Sequence, residues 1–285
     1  MPELPEVQAL AESLDASLRG ATVQDVVVRS VAALKTYDPR VDALRGLSIT
    51  GVHRVGKFVD IEAAPLHLVV HLARAGWLRV RAQPTNARPS LRGPLVMVVT
   101  LGDRRALEAT EQGTEKRLAI YLVRDLDEVP GIARLGVDAL AADLTPARLG
   151  ALLRAQTGTL KNVLADQAVI AGIGNAYSDE ILHAARLSPF RKAAGLDPDE
   201  IARLHAEMRA VLTDAFARAR AADPAELRGD KKLRMRVHGR TGEPCPVCGD
   251  VIREVSYASR SFQYCATCQT GGKTYADRRL SRLLR

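Results

Sequence analysis

The first six residues combine an amine with two carboxylates that could carry out chemistry together. The chain begins Met1-Pro2-Glu3-Leu4-Pro5-Glu6. Removal of Met1 would expose the secondary amine of Pro2, and a terminal amine with a pKa of roughly 7.7–8.0 is partly neutral near physiological pH. Glu3 and Glu6 lie within one helical turn and could transfer protons. The pattern suits Schiff-base chemistry at Pro2, but it also suits an ordinary helix start, because Pro and Glu both favour a first turn.

All four cysteines fall in two Cys-x-x-Cys pairs near the C-terminal end of the sequence. They are Cys245, Cys248, Cys265 and Cys268, with sixteen residues between the pairs. This spacing predicts one structural zinc ion with four thiolate ligands and no open position for catalysis. Gly249 can supply the left-handed conformation that such a turn needs. Two disulfides are the alternative, which a long chain with few cysteines disfavours.

Positive charge is concentrated in the same part of the chain. The formal net charge is +8 and the isoelectric point is about 9.6. From Glu226 onward there are thirteen Lys or Arg and six Asp or Glu, a balance of +7. Phosphate contacts from such a region are typical of proteins that bind nucleic acids. The longest apolar runs are far shorter than a membrane-spanning helix, so no membrane partner is expected.

The pattern of apolar residues predicts an α+β protein. Val7, Leu10 and Leu14 recur at helical spacing in a first helix, and short β-rich runs follow, which favours an N-terminal β-sandwich. From about residue 131 the sequence becomes Ala-, Leu- and Arg-rich and helical, with helix starts at Thr145-Pro146 and Asp197-Pro198. We predict a β-sandwich catalytic domain over 1–130, a helical DNA-binding domain over 131–228 and a zinc module over 229–285. A linker is expected from Asp223 to Lys232.

A glycine-containing segment separates two predicted helices. In Ala171-Gly172-Ile173-Gly174-Asn175 the glycines would let backbone N–H groups approach a phosphate, and Asn175 adds a side-chain donor at the start of the next helix. A tight helix crossing that needs small residues explains the glycines equally well.

Taken together, these motifs resemble the formamidopyrimidine-DNA glycosylase/endonuclease VIII family, and the formamidopyrimidine branch in particular. The resemblance spans the chain in order. It rests on Met1–Glu6, Lys57 in a predicted strand, the run Asp166-Gln167 through Glu180, His238-Gly239-Arg240, and Arg260 ahead of Cys265. It implies an N-terminal β-sandwich with a catalytic N-terminal helix, a helix–two-turn–helix domain and a C-terminal zinc β-hairpin.

The resemblance also implies roles for individual residues. Pro2 would attack C1′ of a damaged nucleotide, Glu3 would protonate the opening sugar and Glu6 would support that geometry. Lys57 would pair with a phosphate near the lesion. Phosphates on either side would be bound by a second set of residues: Lys161, Asn175 and Arg260.

Two segments depart from the family pattern. The segment His71 to Gly76 resembles a family segment at the DNA, but Arg74 stands where the family has Met, which fills the gap left by the extruded nucleotide. The family's loop with paired arginines and Phe-Gly would fall near 108–117. Here that stretch has no aromatic residue and three acids, Glu108, Glu111 and Glu115. We therefore expect these acids to repel phosphate and the usual lesion preference to be altered.

Three functions fit these features. The first is a bifunctional DNA glycosylase and AP lyase that repairs damaged double-stranded DNA, with one structural Zn²⁺ and no organic cofactor. The second is an AP lyase or unusual-lesion variant that prefers single-stranded or gapped DNA and has weak activity on 8-oxoguanine. The third is a non-catalytic zinc protein that binds damaged DNA, which the joint presence of Pro2, Glu3, Glu6 and Lys57 disfavours. We expect a cytoplasmic, nucleoid-associated monomer.

Overall fold

The computed structural model describes residues 1–85, 93–222, 234–257 and 260–275. The chain folds into two compact units, one formed by 1–134 with 218–227 and the other by 135–217 with 228–285. The expected linker from Asp223 to Lys232 lies entirely outside the described residues, as do the basic residues beyond 275. The division into domains over 1–130, 131–228 and 229–285 stays a prediction.

The first unit begins with the predicted amphipathic helix, α1 (Leu4–Leu18). The apolar positions at helical spacing are all buried, and α1 packs mainly on the strand Gly51–Val55. The backbone turns away just after the helix at Gly20, whose φ of 82° is a conformation that glycine adopts without strain. Burial of this stripe fixes the face that α1 presents to the sheet, and therefore the direction of its first turn.

Two antiparallel four-stranded sheets follow α1 in this unit and confirm the predicted N-terminal β-structure. The first has the strand order β1-β6-β7-β5 and the second β2-β3-β4-β8. The strands are β1 (Val23–Val28), β2 (Gly51–Val55), β3 (Phe58–Ala63), β4 (Leu66–His71), β5 (Gly76–Arg81), β6 (Leu95–Leu101), β7 (Ala106–Glu111) and β8 (Ala119–Val123).

Strand β7 corrects the expectation that 108–117 is one exposed acidic loop. The strand pairs with both β5 and β6, and it buries Glu108 and Glu111, each 2% exposed. The Glu108 carboxylate accepts from the Thr85 N–H at 2.8 Å. Two of the three acids are therefore internal hydrogen-bond acceptors, and only Glu115 lies on the exposed segment 112–117. Alternating polar residues concealed this strand in the sequence.

The second unit contains the predicted helical region. Its strands β9 (Val137–Asp138) and β10 (Ile170–Ala171) form a short parallel pair. The expected cap at Asp197 is a reciprocal box, because Glu200 N–H donates to Asp197 Oδ1 at 2.8 Å and Asp197 N–H to Glu200 Oε2 at 3.0 Å. The helices are α2 (Pro146–Arg154), α3 (Leu160–Leu164), α4 (Asn175–Ala184) and α5 (Pro198–Ala221), of which residues 218–221 are counted with the first unit.

A β-hairpin completes the second unit and confirms the predicted zinc hairpin. It consists of β11 (Ile252–Ser256) and β12 (Ser261–Cys265), followed by the short helix α6 (Ala266–Thr270). The segment leading to it is held on α4 by one carboxylate. Glu180 accepts from the backbone N–H groups of three consecutive residues at 2.8–2.9 Å: Arg236, Val237 and His238.

We expect Glu180→Ala to destabilise the protein by at least about 3 kcal/mol, because three backbone donors lose a charged acceptor and all three of their hydrogen bonds are buried or partly buried. Denaturant unfolding monitored by circular dichroism measures the loss. Glu207→Ala on α5 is the matched control and should change the free energy of unfolding by less than about 0.5 kcal/mol. Equal effects of the two substitutions would contradict this role for Glu180.

Candidate active site and metal centre

The start of α1 places the proposed nucleophile beside two buried carboxylates. Glu3 is the N-cap residue, and its N–H donates to Glu6 Oε2 at 2.8 Å. The two form a reciprocal capping box. Glu3 is 1% exposed, Glu6 is 4% exposed and Pro2 is also buried, whereas Met1 is half-exposed. The helix cap thus fixes the main chain on the C-terminal side of the Pro2 nitrogen.

The sequence predicted Lys57 in a strand, but the structure places it in a turn. It occupies the two-residue turn between β2 and β3, after Gly56, whose φ is 58°. Arg54 braces this turn, because its guanidinium donates to Gly56 O at 3.0 Å and to Gln8 Oε1 on α1 at 2.8 Å. Lys57 is only 7% exposed. The turn therefore holds an ammonium group close to the sheet surface instead of extending it into solvent.

His71, at the end of β4, is a neighbour of this lysine. Its ring stacks obliquely on Phe58, with 4.7 Å between ring centroids. Burial, together with the positive charge of Lys57, lowers the pKa of His71 from 6.5 to about 4. The imidazole is consequently neutral at physiological pH and can donate one hydrogen bond from one ring nitrogen and accept one at the other.

Arg74 and the segment 112–117 lie side by side. Arg74 is exposed in the turn between β4 and β5, and its guanidinium is 3.8 Å from the Glu115 carboxylate. Gln112 N–H donates to Ala75 O at 3.2 Å and joins the two loops. Glu111 fixes the other end of the segment by accepting from two backbone N–H groups at 2.7 and 2.9 Å. The exposed residues of this segment are Gln112, Gly113, Thr114, Glu115, Lys116 and Arg117.

In the second unit, Gln167 shapes the glycine-containing segment. Its side-chain amide donates to Ile173 O at 2.6 Å, and its carbonyl oxygen accepts from Gly172 N–H at 3.0 Å. Gly172 has a φ of 100°, which only glycine tolerates easily. This loop delivers Asn175 to the first position of α4. Asn175 Oδ1 is buried and has no hydrogen-bond partner within the described part of the chain.

Lys161 contradicts the expectation that it contacts a DNA phosphate directly. Its side chain is 0% exposed and forms a buried ion pair with Asp179 on α4. Its ammonium group also donates to Asn175 O at 3.2 Å. A lysine with these internal contacts cannot reach a phosphate without breaking them, so the family role does not transfer to this side chain as a contact.

Arg260 lies at the tip of the zinc hairpin, immediately before β12. It is exposed, and its carbonyl oxygen accepts from the Tyr257 N–H at 2.7 Å, closing the hairpin. The Tyr257 ring packs on Phe262, with 4.8 Å between centroids. An exposed guanidinium on a braced hairpin is suited to bidentate binding of a phosphate.

The four cysteine sulfurs converge at one point. Cys245 Sγ is 3.9 Å from Cys268 Sγ, Cys248 Sγ is 3.4 Å from Cys265 Sγ, and all four atoms lie within 4.8 Å of one another. A tetrahedral zinc with Zn–S bonds of 2.3 Å requires S–S separations of about 3.8 Å, whereas a disulfide requires about 2.05 Å. The thiols are free cysteines. The donor set fits one structural zinc ion with no position for a substrate.

Contacts around this cluster orient the thiolates. The backbone N–H of Cys268 donates to Cys265 Sγ at 3.5 Å, and His183 Nε2 lies 3.3 Å from Cys245 Sγ. Gly249 has a φ of 78° and its N–H donates to Cys245 O at 2.9 Å, as the first Cys-x-x-Cys turn requires. Gly249 therefore has the left-handed conformation that the sequence predicted.

Sequence reasoning missed the residues that support these sites: Glu108, Glu111, Asp179 and Glu180. Each is a buried carboxylate. Charged side chains in apolar surroundings are unusual unless paired, and the Asp-Glu pair within an otherwise buried helix was a signal of this kind. Nothing in the local sequence identified the partners, which are distant along the chain.

Three family models match the chain in order. They are the N-terminal domain of formamidopyrimidine-DNA glycosylase over residues 1–114, the helix–two-turn–helix domain of the same enzyme over 135–223, and a zinc finger found in this glycosylase and in isoleucyl-tRNA synthetase over 242–271. Among the described residues, no helix has the length and hydropathy needed to cross a membrane.

Individual relatives indicate the same family as the three family models. A formamidopyrimidine-DNA glycosylase of Symbiobacterium thermophilum is 35% identical over 94% of this chain and 89% of its own length. An uncharacterised formamidopyrimidine-DNA glycosylase-like protein of Mycobacterium tuberculosis is 57% identical over 53% of this chain and 94% of its own length. The structure of MutM bound to DNA containing carbocyclic 8-oxoguanine superposes with a TM-score of 0.83, at 26% identity over 94% of this chain and 100% of that chain. The chain belongs to the formamidopyrimidine-DNA glycosylase family.

We expect the pKa of His71, measured by NMR titration, to lie near 4 and to rise in Lys57→Met, because one of its two causes is removed while burial remains. Since the unfolded chain binds this proton at a higher pH, the stability contributed by neutral His71 is complete above pH 6.5 and is lost as the pH falls toward 4. Lys35→Met, at an exposed lysine of the same unit, should leave the His71 pKa unchanged. A His71 pKa near 6.5 would contradict this burial.

We expect zinc removal by a chelator, or Cys265→Ser, to weaken DNA binding at least about tenfold, because the hairpin that carries Arg260 loses its closure. Fluorescence anisotropy with labelled duplex, alongside zinc content by atomic emission, measures the effect. Adding zinc back should restore the affinity of the chelated wild-type chain. Unchanged affinity in metal-free protein would exclude this structural role.

Proposed function

We propose that this chain is a DNA repair glycosylase with AP lyase activity, which uses Pro2 as a nucleophile and damaged double-stranded DNA as its substrate. The observation that supports this most directly is the capping box at the start of α1, which brings two buried carboxylates next to Pro2. AP lyase activity is typical of the family, and the MutM complex described above contains a damaged base in DNA.

The chemistry follows from a free Pro2 amine. After removal of Met1, the amine attacks C1′ and the bond from C1′ to the damaged base breaks; the proton that the amine loses neutralises the departing base. The C1′–O4′ bond then opens as Glu3 protonates O4′, which leaves an iminium ion between Pro2 and C1′. The resulting iminium ion withdraws electrons and acidifies the C2′ proton. Loss of that proton breaks the C3′–O bond, with the 3′-phosphate as leaving group. Glu6 holds the Glu3 backbone throughout and so keeps the proton donor in place.

Lys57, His71, Asn175 and Arg260 are proposed DNA contacts. Lys57 provides a fixed positive charge in unit one, and neutral His71 provides a single hydrogen bond beside it. Asn175 provides an amide at a helix N-terminus, where anions are favoured. Arg260 provides a guanidinium for the phosphate backbone. Such contacts would offset the few kcal/mol needed to extrude a base from the duplex.

A second candidate function follows from the exposed loop and Arg74. Proteins that kink duplex DNA commonly insert apolar side chains between bases, but the exposed residues of 112–117 are polar, as is Arg74. Together they present three cationic groups and one acid. We propose that this polar surface favours substrates whose stacking is already broken, such as single-stranded, gapped or abasic DNA, over intact 8-oxoguanine duplex.

The proposed substrate also implies a cellular location and an oligomeric state. Chromosomal DNA in bacteria lies in the nucleoid, so we propose a cytoplasmic enzyme associated with it. One lesion needs one Pro2 amine, and we propose that a monomer is sufficient.

We expect borohydride to trap a covalent adduct between the processed chain and abasic DNA. A chain with a blocked N-terminus should give no adduct, and Pro2→Gly should give less, because its primary amine differs from proline in basicity and conformational freedom. Glu3→Gln should lower base release roughly 10²–10⁴-fold by removing a proton donor, while adduct formation on pre-formed abasic DNA persists. Denaturing gels and mass spectrometry measure both products.

Glu12→Gln, on the same helix, is the matched control and should behave as wild type. Comparison of abasic duplex, 8-oxoguanine:C duplex, gapped DNA and single strands separates the candidates. Faster reaction on gapped or single-stranded DNA favours the second candidate, and rapid release of 8-oxoguanine from duplex contradicts it. DNA binding without an adduct on any substrate would identify a non-catalytic binding protein.

A further inference from the structure

Lys161 is a fully buried cation, and such a charge persists in a folded protein only when it is paired and hydrogen-bonded. Its ammonium group meets the Asp179 carboxylate and donates to Asn175 O at 3.2 Å. It also lies 5.2 Å from the centroid of the Phe262 ring, a cation–π contact. These three partners come from the beginning and middle of α4 and from strand β12.

Asp179 extends the network in a second direction. Its Oδ1 accepts from the backbone N–H of Gln263 at 3.2 Å, and its Oδ2 lies 2.9 Å from His238 Nδ1. The side chain of Gln263 then accepts from Gly239 N–H and donates to Glu254 Oε2 on β11 at 2.8 Å. One ion pair therefore contacts α3, α4, the approach to the zinc module and the hairpin.

The two proposed DNA contacts of this unit lie at opposite ends of that network. Asn175 begins α4, and Lys161 donates to its carbonyl oxygen. Arg260 directly precedes the strand that holds Phe262 and Gln263, both of which touch the pair. The zinc thiolates lie at the other end of β12, at Cys265. Zinc therefore fixes one end of the hairpin, and the ion pair fixes its middle.

We propose that Lys161 and Asp179 are positioning residues that hold Asn175 and Arg260 in a single arrangement able to bind DNA, so that Lys161 contributes to affinity without touching a phosphate. This inference rests on the proposed function, since it assumes that Arg260 contacts DNA. Once the pair is broken, loss of Arg260 should cost little more, because its position is already lost.

A double-mutant cycle tests the coupling. Dissociation constants for abasic-site duplex are measured for wild type, Lys161→Met, Arg260→Ala and the double variant, well below the melting temperature of each. Each single substitution is expected to weaken binding roughly tenfold, and the double variant also roughly tenfold, instead of the roughly hundredfold expected for independent contacts. Lys192→Met, which removes a surface charge from the same unit, should combine additively with Arg260→Ala.

The outcomes are distinct. Additive effects of Lys161→Met and Arg260→Ala would overturn the inference, because a direct phosphate contact or a general loss of stability leaves the effect of Arg260 unchanged. If Lys161→Met does not fold, the same cycle is measured with Asp179→Asn, which keeps the shape of the side chain. That result then decides between coupling and additivity. An Arg260→Ala variant with wild-type affinity would also overturn the inference, whereas a wild-type chain that binds no DNA would instead contradict the proposed function.

Discussion

Adjacent carboxylates on one helix organise the second unit. Asp179 and Glu180 are buried on α4, and each uses its oxygens to hold a different part of the C-terminal segment. Glu180 captures three backbone amides in the approach to the zinc module, and Asp179 joins Lys161 to His238 and the hairpin. A carboxylate that accepts several N–H groups in a dry environment is difficult to replace, since each lost acceptor exposes a donor to an apolar interior. The cysteine cluster holds the same C-terminal segment that Asp179 and Glu180 attach to α4.

In the first unit, a helix cap and side-chain hydrogen bonds hold the proposed functional groups in place. Its proposed nucleophile lies at a chain end, where fraying is normal, yet the Glu3–Glu6 box and the buried stripe of α1 leave little freedom there. The lysine turn at residue 57 is braced against the same helix through Arg54 and Gln8. Reactive and binding groups are thus attached to rigid elements, which favours the precise geometry that proton transfer needs.

The sequence predicted features whose cause is local. Cysteine spacing, the helix starts at Asp197 and at the N-terminus, and the apolar stripe of α1 depend on neighbours a few residues away, and the structure contains each of them. Glu108, Glu111 and Lys161 were misjudged for the opposite reason. A charged residue read alone looks solvated, and its burial becomes understandable only through partners such as Thr85, Leu118 and Asp179 that the fold brings close. Long-range pairing of polar groups leaves no periodic signal.

The Glu111 carboxylate makes the backbone path of the segment 112–117 independent of the side chains that the segment carries. It fixes the base of the segment 112–117 through main-chain donors alone, and the side chains beyond it project into solvent. In the proposed function, substitutions there alter what the loop recognises while the backbone path and the proposed chemistry at Pro2 stay intact. The loop is then an exchangeable module, through which one scaffold can acquire new lesion preferences by drift or by grafting.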